Sequence, residues 1–229
     1  LLAECGWEGA SDAVRLVGVV WLVLLFWFLL VGAAMNLWNV AVWLAGRVRP
    51  GARRWRLPPR AAFLAGSALV LAAAVWGWFE AERIGVRHVE VTVEHLPPGM
   101  ETFRIAQLSD LHVGGPRSEQ HVVAAADLLR DLHPDMVVST GDMIDADFET
   151  IGHLAEHLAA VQPPFGKYAV FGNHDFYAGG EHSERFHAAA GFEVLRGRRV
   201  SPADGLELVG VDDPAARRRD PDARGVDEV

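Results

Sequence analysis

Two long apolar stretches come first in the chain. Residues 16–46 include no charged side chain, and a helix of that length, at about 1.5 Å per residue, exceeds the roughly 30 Å of hydrocarbon in a bilayer. The second stretch, residues 61–79, makes a helix of about 28 Å and matches one bilayer thickness. The pattern therefore predicts two membrane-spanning helices, and a buried helix of a soluble protein is the less favoured alternative.

A different pattern follows Arg83. Val89, Val91 and Val93 alternate with polar residues, which predicts a half-exposed strand. Short apolar runs then alternate with helical patterns. The predicted strands are residues 103–108, 136–139, 168–171, 192–195 and 206–211, and the predicted helices are residues 118–132, 148–161 and 181–190. This alternation of strand and helix predicts an α/β domain.

Composition divides the chain in the same way. Residues 1–80 carry seven arginines and four acidic residues, whereas the rest of the chain carries most of the formal net charge of -9. An acidic domain without a basic stripe argues against nucleic acid as a partner. The single cysteine, Cys5, excludes an internal disulfide framework and a cysteine-based zinc site, so any metal site must use His, Asp, Glu or Asn.

The connector between the two spans predicts the membrane topology. Residues 47–60 contain six arginines and no acidic residue, and arginines close to a span resist translocation, so we expect this loop in the cytoplasm. The domain that follows is then extracytoplasmic, on a multi-pass protein of the cell membrane. Because neither span contains a charged residue, we interpret the pair as an anchor and not as a transport path.

Polar motifs follow three consecutive predicted strands. They are Asp110-Leu111-His112, Gly141-Asp142 and Gly172-Asn173-His174-Asp175. Their spacing is close to the length of one βαβ unit. Because the carboxyl ends of parallel strands share one edge of the sheet, where ligands bind, we expect the three loops to meet there.

The first two motifs offer metal ligands. Asp110 and His112 are two residues apart, and on an extended segment their side chains lie on the same side and can bind one ion. Gly141 permits a sharp turn that presents Asp142, whose carboxylate can bridge two cations.

The third motif adds polar groups of other kinds. Asn173 offers a neutral amide oxygen beside His174, and Asp175 is placed to influence that imidazole. Each motif alone is more often a capped turn or a solvated loop, but three at consecutive strand ends indicate a metal centre. Asp145 and Asp147, near the second motif, are interpreted as turn or helix-cap residues.

These motifs resemble the ordered blocks of the calcineurin-like metallophosphoesterase superfamily, Asp-X-His, Gly-Asp and Gly-Asn-His-Asp/Glu. Residues 103–112 and the block Gly210-Val211-Asp212-Asp213-Pro214 are similar to its membrane-anchored bacterial branch, which is related to transmembrane proteins with a metallophosphoesterase domain. The resemblance covers about residues 86–214. It implies a four-layer α/β/β/α sandwich, preceded here by two transmembrane helices, and a phosphoesterase that uses two divalent ions.

The resemblance also implies a role for each motif residue. Asp110 and His112 would hold the first ion, Asp142 would bridge both, Asn173 would bind the second, His174 would face the phosphate and stabilise or protonate the departing oxygen, and Asp175 would hold the His174 ring. Histidine with hard oxygen ligands suits Mn, Fe or Zn better than Ca, without a choice among the three.

One feature departs from the family pattern. The family completes its site with later histidines, one isolated and two in a Gly-His-X-His block, whereas this sequence has none after His187. Either the domain is incomplete at its C-terminus or the protein is inactive. His182 and His187, five residues apart on a predicted helix, share no face well and are disfavoured as replacements.

The predicted organisation has five parts. They are an N-terminal flank (1–15), a transmembrane helix (16–46), an arginine-rich cytoplasmic loop (47–60), a second transmembrane helix (61–79) and a metallophosphoesterase domain incomplete at its C-terminus (80–229). The expected activity is hydrolysis of a phosphodiester or pyrophosphate, with a lipid-linked substrate such as UDP-2,3-diacylglucosamine suggested by analogy. The alternative is a non-catalytic membrane module that binds a metal or a partner.

Overall fold

The computed structural model describes residues 8–81, 83–115 and 117–214. The chain divides into two compact units, Leu1–Arg83 and Ile84–Val229.

The first unit is a pair of long helices. Helix α1 is Glu8–Val48, a short 3-10 helix occupies Pro50–Trp55, and α2 is Pro59–Glu80. Both helices are long and apolar enough to cross a membrane, and α1 extends beyond the predicted span at both ends. Their large apolar side chains are mostly exposed, which is costly in water and favourable in lipid.

The two helices pack through a small residue. Gly66 of α2 faces Val31 and Met35 of α1, so closely that a Cβ at Gly66 would lie 3.3 Å from a Val31 methyl. The rings of Phe28 and Phe63 meet edge to face, with their centroids 5.7 Å apart. Close approach at a small residue is a common packing device between membrane helices.

The second unit contains a parallel sheet in the order β1-β2-β3-β4. Its strands are Ile105–Leu108, Met136–Ser139, Lys167–Ala169 and Glu193–Val194. The helices are α3 (Ser118–Leu132), α4 (Phe148–Ile151), α5 (Ala155–Ala159), α6 (Asn173–Ala178) and α7 (Gly180–Ala189), with a 3-10 turn at Gly152–Leu154. An antiparallel hairpin follows, formed by β5 (Arg198–Ala203) and β6 (Leu206–Gly210). The predicted α/β fold is confirmed.

The core lies between this sheet and its helices. Helix α3 presents Val122, Ala126 and Leu129 at helical spacing, and all three are buried. Val137 and Ala169 of the neighbouring strands belong to the same apolar cluster. This burial stabilises the sheet whose edge carries the polar motifs.

Some local predictions were wrong. The predicted strand at residues 88–94 is in irregular backbone and pairs with no strand in the described part of the chain, and Val91 is 76% exposed. Alternation reports which way side chains face, but a strand also needs a neighbour for its N–H and C=O groups. The predicted helix 148–161 is interrupted at Gly152, where a Cβ would overlap the Phe148 ring.

Two glycines bring the loops after β2 and β3 together. Gly141 has φ +105°, and a Cβ on it would overlap the backbone nitrogen of Gly172. A Cβ on Gly172 would in turn overlap the carboxylate of Asp142. The two loops therefore pack backbone against backbone, a distance that only glycine allows.

Gly141→Ala is expected to destabilise the domain more than Gly205→Ala does. Both residues have positive φ, +105° and +80°, but the space beside Gly205 is open. Both variants pay about 1–2 kcal/mol for left-handed backbone, and Gly141→Ala adds about 1–3 kcal/mol of overlap. Urea unfolding of the detergent-solubilised chain, followed by hydrogen exchange of backbone amides in the β1–β4 sheet, measures the difference. Equal losses would contradict the close contact.

Lys167 is a buried cation that joins two helix ends. Lys167 is only 7% exposed, and its Nζ donates hydrogen bonds to the carbonyl oxygens of Leu158 (2.7 Å) and Ala190 (2.6 Å). These carbonyls lie at the C-terminal ends of α5 and α7, and the Leu158 carbonyl also accepts a hydrogen bond from Val161 N–H at 3.1 Å. Burial lowers the pKa of Lys167 to about 8.

We expect Lys167 to make stability depend on alkaline pH. The unfolded side chain keeps its proton up to about pH 10.4, whereas the folded one releases it near pH 8. Between these values the unfolded state binds more protons, so the free energy of unfolding rises with pH. Urea titrations measure the free energy of unfolding of wild type and of Lys167→Met at each pH. The difference, wild type minus variant, should be constant below pH 7.5 and should rise between pH 8 and about pH 9.5. Parallel curves would contradict the assignment.

Candidate metal centre

The loops that follow β1, β2 and β3 meet at one edge of the sheet. The strands pair in register, with Leu108 beside Ser139 and Ser139 beside Ala169, so they end side by side. The first two loops also continue the pairing. Asp110 N–H donates to the Gly141 carbonyl at 3.1 Å, and His112 N–H donates to the Asp142 carbonyl at 3.0 Å.

Three predicted ligands have left-handed backbone. Asp110, His112 and Asp142 have φ values of 56°, 48° and 55°, and His133 is the one other non-glycine residue with positive φ in the described chain. We expected Asp110 and His112 to share a side because their segment is extended, and this reason was wrong. The turns bring their side chains together instead, and such strained conformations are typical of functional sites.

The same three side chains form one cluster of possible ligands. Single donor atoms of Asp110, His112 and Asp142 all lie within 4.8 Å of one another. A second cluster, whose donor atoms also lie within 4.8 Å of one another, consists of His112, Asp145 and His174. The sequence predicted the first cluster in full, but it did not predict the participation of Asp145.

Asp145 joins the two imidazoles. Its Oδ1 lies 3.0 Å from Nδ1 of His112 and 2.8 Å from Nδ1 of His174. The two rings are nearly perpendicular, with their centroids 4.6 Å apart. Sequence reasoning placed Asp145 in a turn or helix cap, since the only available signal was an acidic residue three positions after Asp142 in a strand-end loop.

This arrangement fits a divalent ion at the first cluster. Metal-binding histidines usually donate their second ring N–H to a carboxylate, and Asp145 occupies that position at Nδ1 of His112. The other ring nitrogen, Nε2, lies on the side of Asp110, 3.8 Å from its Oδ1. Imidazole nitrogen with carboxylate oxygens suits Mn, Fe or Zn.

Charge and hydrogen bonding shift both partners in this pair. Burial by itself would lower the pKa of His112, but the hydrogen bond and charge of Asp145, with the charges of Asp142 and Asp110, raise it overall. Burial by itself would raise the pKa of Asp145, but hydrogen bonds from His112 and His174 lower it overall. Asp145 is therefore a carboxylate at neutral pH, able to orient both rings.

Asp175 lies elsewhere than we expected. Its side chain is fully buried, and its oxygens accept hydrogen bonds from the backbone N–H groups of Asp142 (2.8 Å), Gly172 (2.9 Å) and Met143 (3.3 Å). Burial raises the pKa of Asp175. The contact with the His174 ring that the resemblance assigned to Asp175 is made by Asp145. Asp175 instead ties the second loop to the third.

The third loop begins α6. His174 N–H donates to Oδ1 of Asp142 at 2.8 Å, which places this carboxylate between the second and third loops. Asn173, the first residue of α6, stands directly before His174 and is half-buried. Its role as a ligand to a second ion stays a prediction.

Two later histidines lie in other surroundings. His182 Nδ1 accepts a hydrogen bond from Phe148 N–H at 3.2 Å, and its Nε2 lies 3.6 Å from Asp147. His187 is fully buried, and its Nδ1 donates to the Ser183 carbonyl at 2.7 Å. Neither belongs to a ligand cluster found among the described residues.

Known proteins share this region of the chain. Residues 103–213 match the calcineurin-like phosphoesterase family. An uncharacterized metallophosphoesterase of Aquifex aeolicus is 38% identical over 133 residues, which is 58% of this chain and 51% of the relative. A transmembrane protein with metallophosphoesterase domain from Danio rerio is 32% identical over 161 residues, which is 66% of this chain and 37% of the relative.

A third relative carries a substrate in its name. The UDP-2,3-diacylglucosamine pyrophosphatase of Chlamydia trachomatis is 32% identical over 113 residues, 47% of this chain and 34% of the relative. The chain spans about half the length of the Aquifex protein and about a third of the other two relatives. The matched segment contains all three motif loops at the sheet edge, and residues 103–213 are a calcineurin-like metallophosphoesterase domain.

Proposed function

We propose that this protein is a membrane-anchored, metal-dependent phosphoesterase. The observation that supports this most is the convergence of Asp110, His112 and Asp142 on one space beside the Asp145–His174 pair. A cluster of carboxylates and imidazoles at the carboxyl ends of parallel strands is suited to bind a divalent ion and to face a phosphate. The family match and the names of the relatives support the same activity.

The chain's own residues divide the work between holding ions and handling protons. Asp110, His112 and Asp142 would hold one divalent ion, and Asp142 and Asn173 would contribute to a second. Bound divalent ions supply Lewis acidity and lower the pKa of water. The Asp145 carboxylate holds Nδ1 of His174, so the opposite ring nitrogen is oriented to donate a proton to the departing oxygen of the ester.

The anchor and one relative suggest the substrate class. Two candidate spans, Val17–Val48 and Pro59–Glu80, precede the domain, and arginines between them favour an extracytoplasmic domain. We propose a phosphodiester or pyrophosphate in a lipid-linked molecule, because a domain tethered to a bilayer meets such substrates at high local concentration. The pyrophosphatase of Chlamydia trachomatis acts, by its name, on UDP-2,3-diacylglucosamine.

A non-catalytic metal- or partner-binding module is the second candidate. It is favoured by one observation: among the described residues, neither His182 nor His187 belongs to a cluster that could hold a second ion. This module would bind one ion per chain or none, whereas the phosphoesterase would bind two. Elemental analysis of the purified, metal-loaded protein distinguishes the two candidates.

Asp142→Asn is expected to abolish phosphoesterase activity. The substitution keeps the size of the side chain and removes its negative charge. The Asp142 carboxylate belongs to the cluster of possible ligands and accepts the hydrogen bond from His174 N–H in the third loop. The purified chain with added Mn²⁺ should hydrolyse bis(nitrophenyl) phosphate, and the variant should fall to background. Asp131→Asn, at an exposed site on the last turn of α3, is the matched control and should keep wild-type activity. A wild-type protein that is inactive with Mn²⁺, Fe²⁺ and Zn²⁺ alike would reject the proposal.

Asp145 and Asp147 should differ sharply in their effect on kcat. Asp145 holds the rings of both His112 and His174, and loss of such a supporting carboxylate typically costs about 10- to 100-fold. Asp147 has a 68% exposed side chain near His182, so Asp147→Asn should change kcat less than about threefold at an exposed site. Steady-state kinetics of Asp145→Asn and Asp147→Asn measures both. Equal kcat values in the two variants would refute the role given to Asp145.

A further inference from the structure

The end of α1, the connector and the start of α2 together concentrate positive charge. We call residues 47–60 the arginine turn. It contains Arg47, Arg49, Arg53, Arg54, Arg56 and Arg60 and no acidic residue. All six arginines are exposed. Within the described parts of the chain, no carboxylate forms an ion pair with any of them, so six guanidinium groups are available to an external anion.

The arginine turn is folded against α1. The side chain of Asn39 pairs with both backbone groups of Leu57: Nδ2 donates to the carbonyl at 3.2 Å, and Oδ1 accepts from N–H at 2.8 Å. Trp38 Nε1 donates to the Trp55 carbonyl at 3.0 Å. Residues 55–57 are therefore fastened to α1 two to three turns before its end at Val48. This pairing reduces the conformational entropy that anion binding would have to remove.

Aromatic rings and a glycine position individual guanidinium groups. Arg47 stacks on Trp43, with the guanidinium carbon 4.0 Å from the ring centroid, and Arg54 lies over Trp55 at 5.6 Å. The side chain of Arg53 runs so close to Gly46 that a Cβ there would lie 2.8 Å from Arg53 Cγ. Stacking uses the face of a guanidinium and leaves its in-plane N–H donors free, and these match phosphate oxygens in pairs.

The position of the turn selects the source of the anion. The turn joins two candidate spans at one end, and tryptophan rings such as those of Trp38, Trp43 and Trp55 favour the headgroup level of a bilayer. Phosphate groups of lipids are concentrated at that level, whereas free phosphate competes with water and salt. Clusters of basic residues beside a span attract anionic lipids.

We propose that the arginine turn is a preformed binding site for the phosphate of anionic phospholipids. The inference rests on the membrane anchoring in the proposed function but not on phosphoesterase activity. It adds a lipid ligand to a part of the molecule outside the metal centre. The pairing through Asn39 makes the site depend on geometry as well as on charge.

Lipid selectivity of the reconstituted full chain tests the proposal. Electron paramagnetic resonance measures the association of spin-labelled phosphatidylglycerol relative to spin-labelled phosphatidylcholine. We expect wild type to prefer phosphatidylglycerol, with a preference that falls in high salt. The double variant Arg53→Gln/Arg54→Gln should reduce the preference for phosphatidylglycerol, by at most about fivefold for each arginine removed. Arg198→Gln with Arg199→Gln, an adjacent exposed pair in β5, is the matched control and should leave it unchanged.

Asn39→Leu separates a built site from diffuse charge. This variant keeps all six arginines and removes both hydrogen bonds to Leu57. We expect it to weaken the phosphatidylglycerol preference while the net charge stays the same. An unchanged preference, or a wild-type protein without preference, would overturn the proposal.

Extraction at alkaline pH distinguishes failure of this inference from failure of the anchoring. A wild-type chain that stays in neutral phosphatidylcholine vesicles but shows no lipid preference retains its anchor and refutes the lipid site. A chain released from the vesicles refutes the anchoring, and the lipid site with it.

Discussion

The candidate metal centre depends on a buried carboxyl group that belongs to neither ligand cluster found among the described residues. Asp175 accepts hydrogen bonds from backbone groups of the loops after β2 and β3. A buried acceptor left without these donors would be costly, so the contacts hold the two loops at one separation. Gly141 and Gly172 make that separation possible because they have no Cβ. Asp142, whose backbone is left-handed, lies in the loop held by the Asp175 hydrogen bonds and by the close contact of Gly141 with Gly172. These contacts fix the direction of its carboxylate.

Asp145 has a comparable effect on the imidazoles. One oxygen contacts both His112 and His174, so a single carboxylate orients the ring proposed to bind a metal and the ring proposed to donate a proton. In the proposed mechanism one side chain would thus connect metal binding with proton transfer, and preorganisation of this kind reduces the cost of reaching the reactive geometry. Asp175 thus holds the backbone of the loops, and Asp145 holds the two imidazole rings.

The sequence predicted the residues that cluster at the sheet edge but not the side chains that hold them there. The motifs pointed to Asp110, His112 and Asp142 because residues suited to metal binding at strand ends leave a local signature, and the predicted strands 103–108 and 136–139 lie close to the observed Ile105–Leu108 and Met136–Ser139. The partner of His174 was misassigned because proximity in sequence favoured Asp175, whereas the fold brings Asp145 from the neighbouring loop. The strand predicted at 88–94 was wrong because pairing depends on distant backbone that a local alternation does not report.

The position of a bound divalent ion would show whether the three side chains at the sheet edge form a metal centre. Crystals of the full chain grown with Mn²⁺ would be measured for anomalous scattering at the manganese edge. We expect a peak coordinated by Asp110, His112 and Asp142, with Asp145 holding the far nitrogen of the His112 ring. A peak bound elsewhere in the domain, or a fully loaded protein in which these three side chains bind no ion, would contradict this expectation.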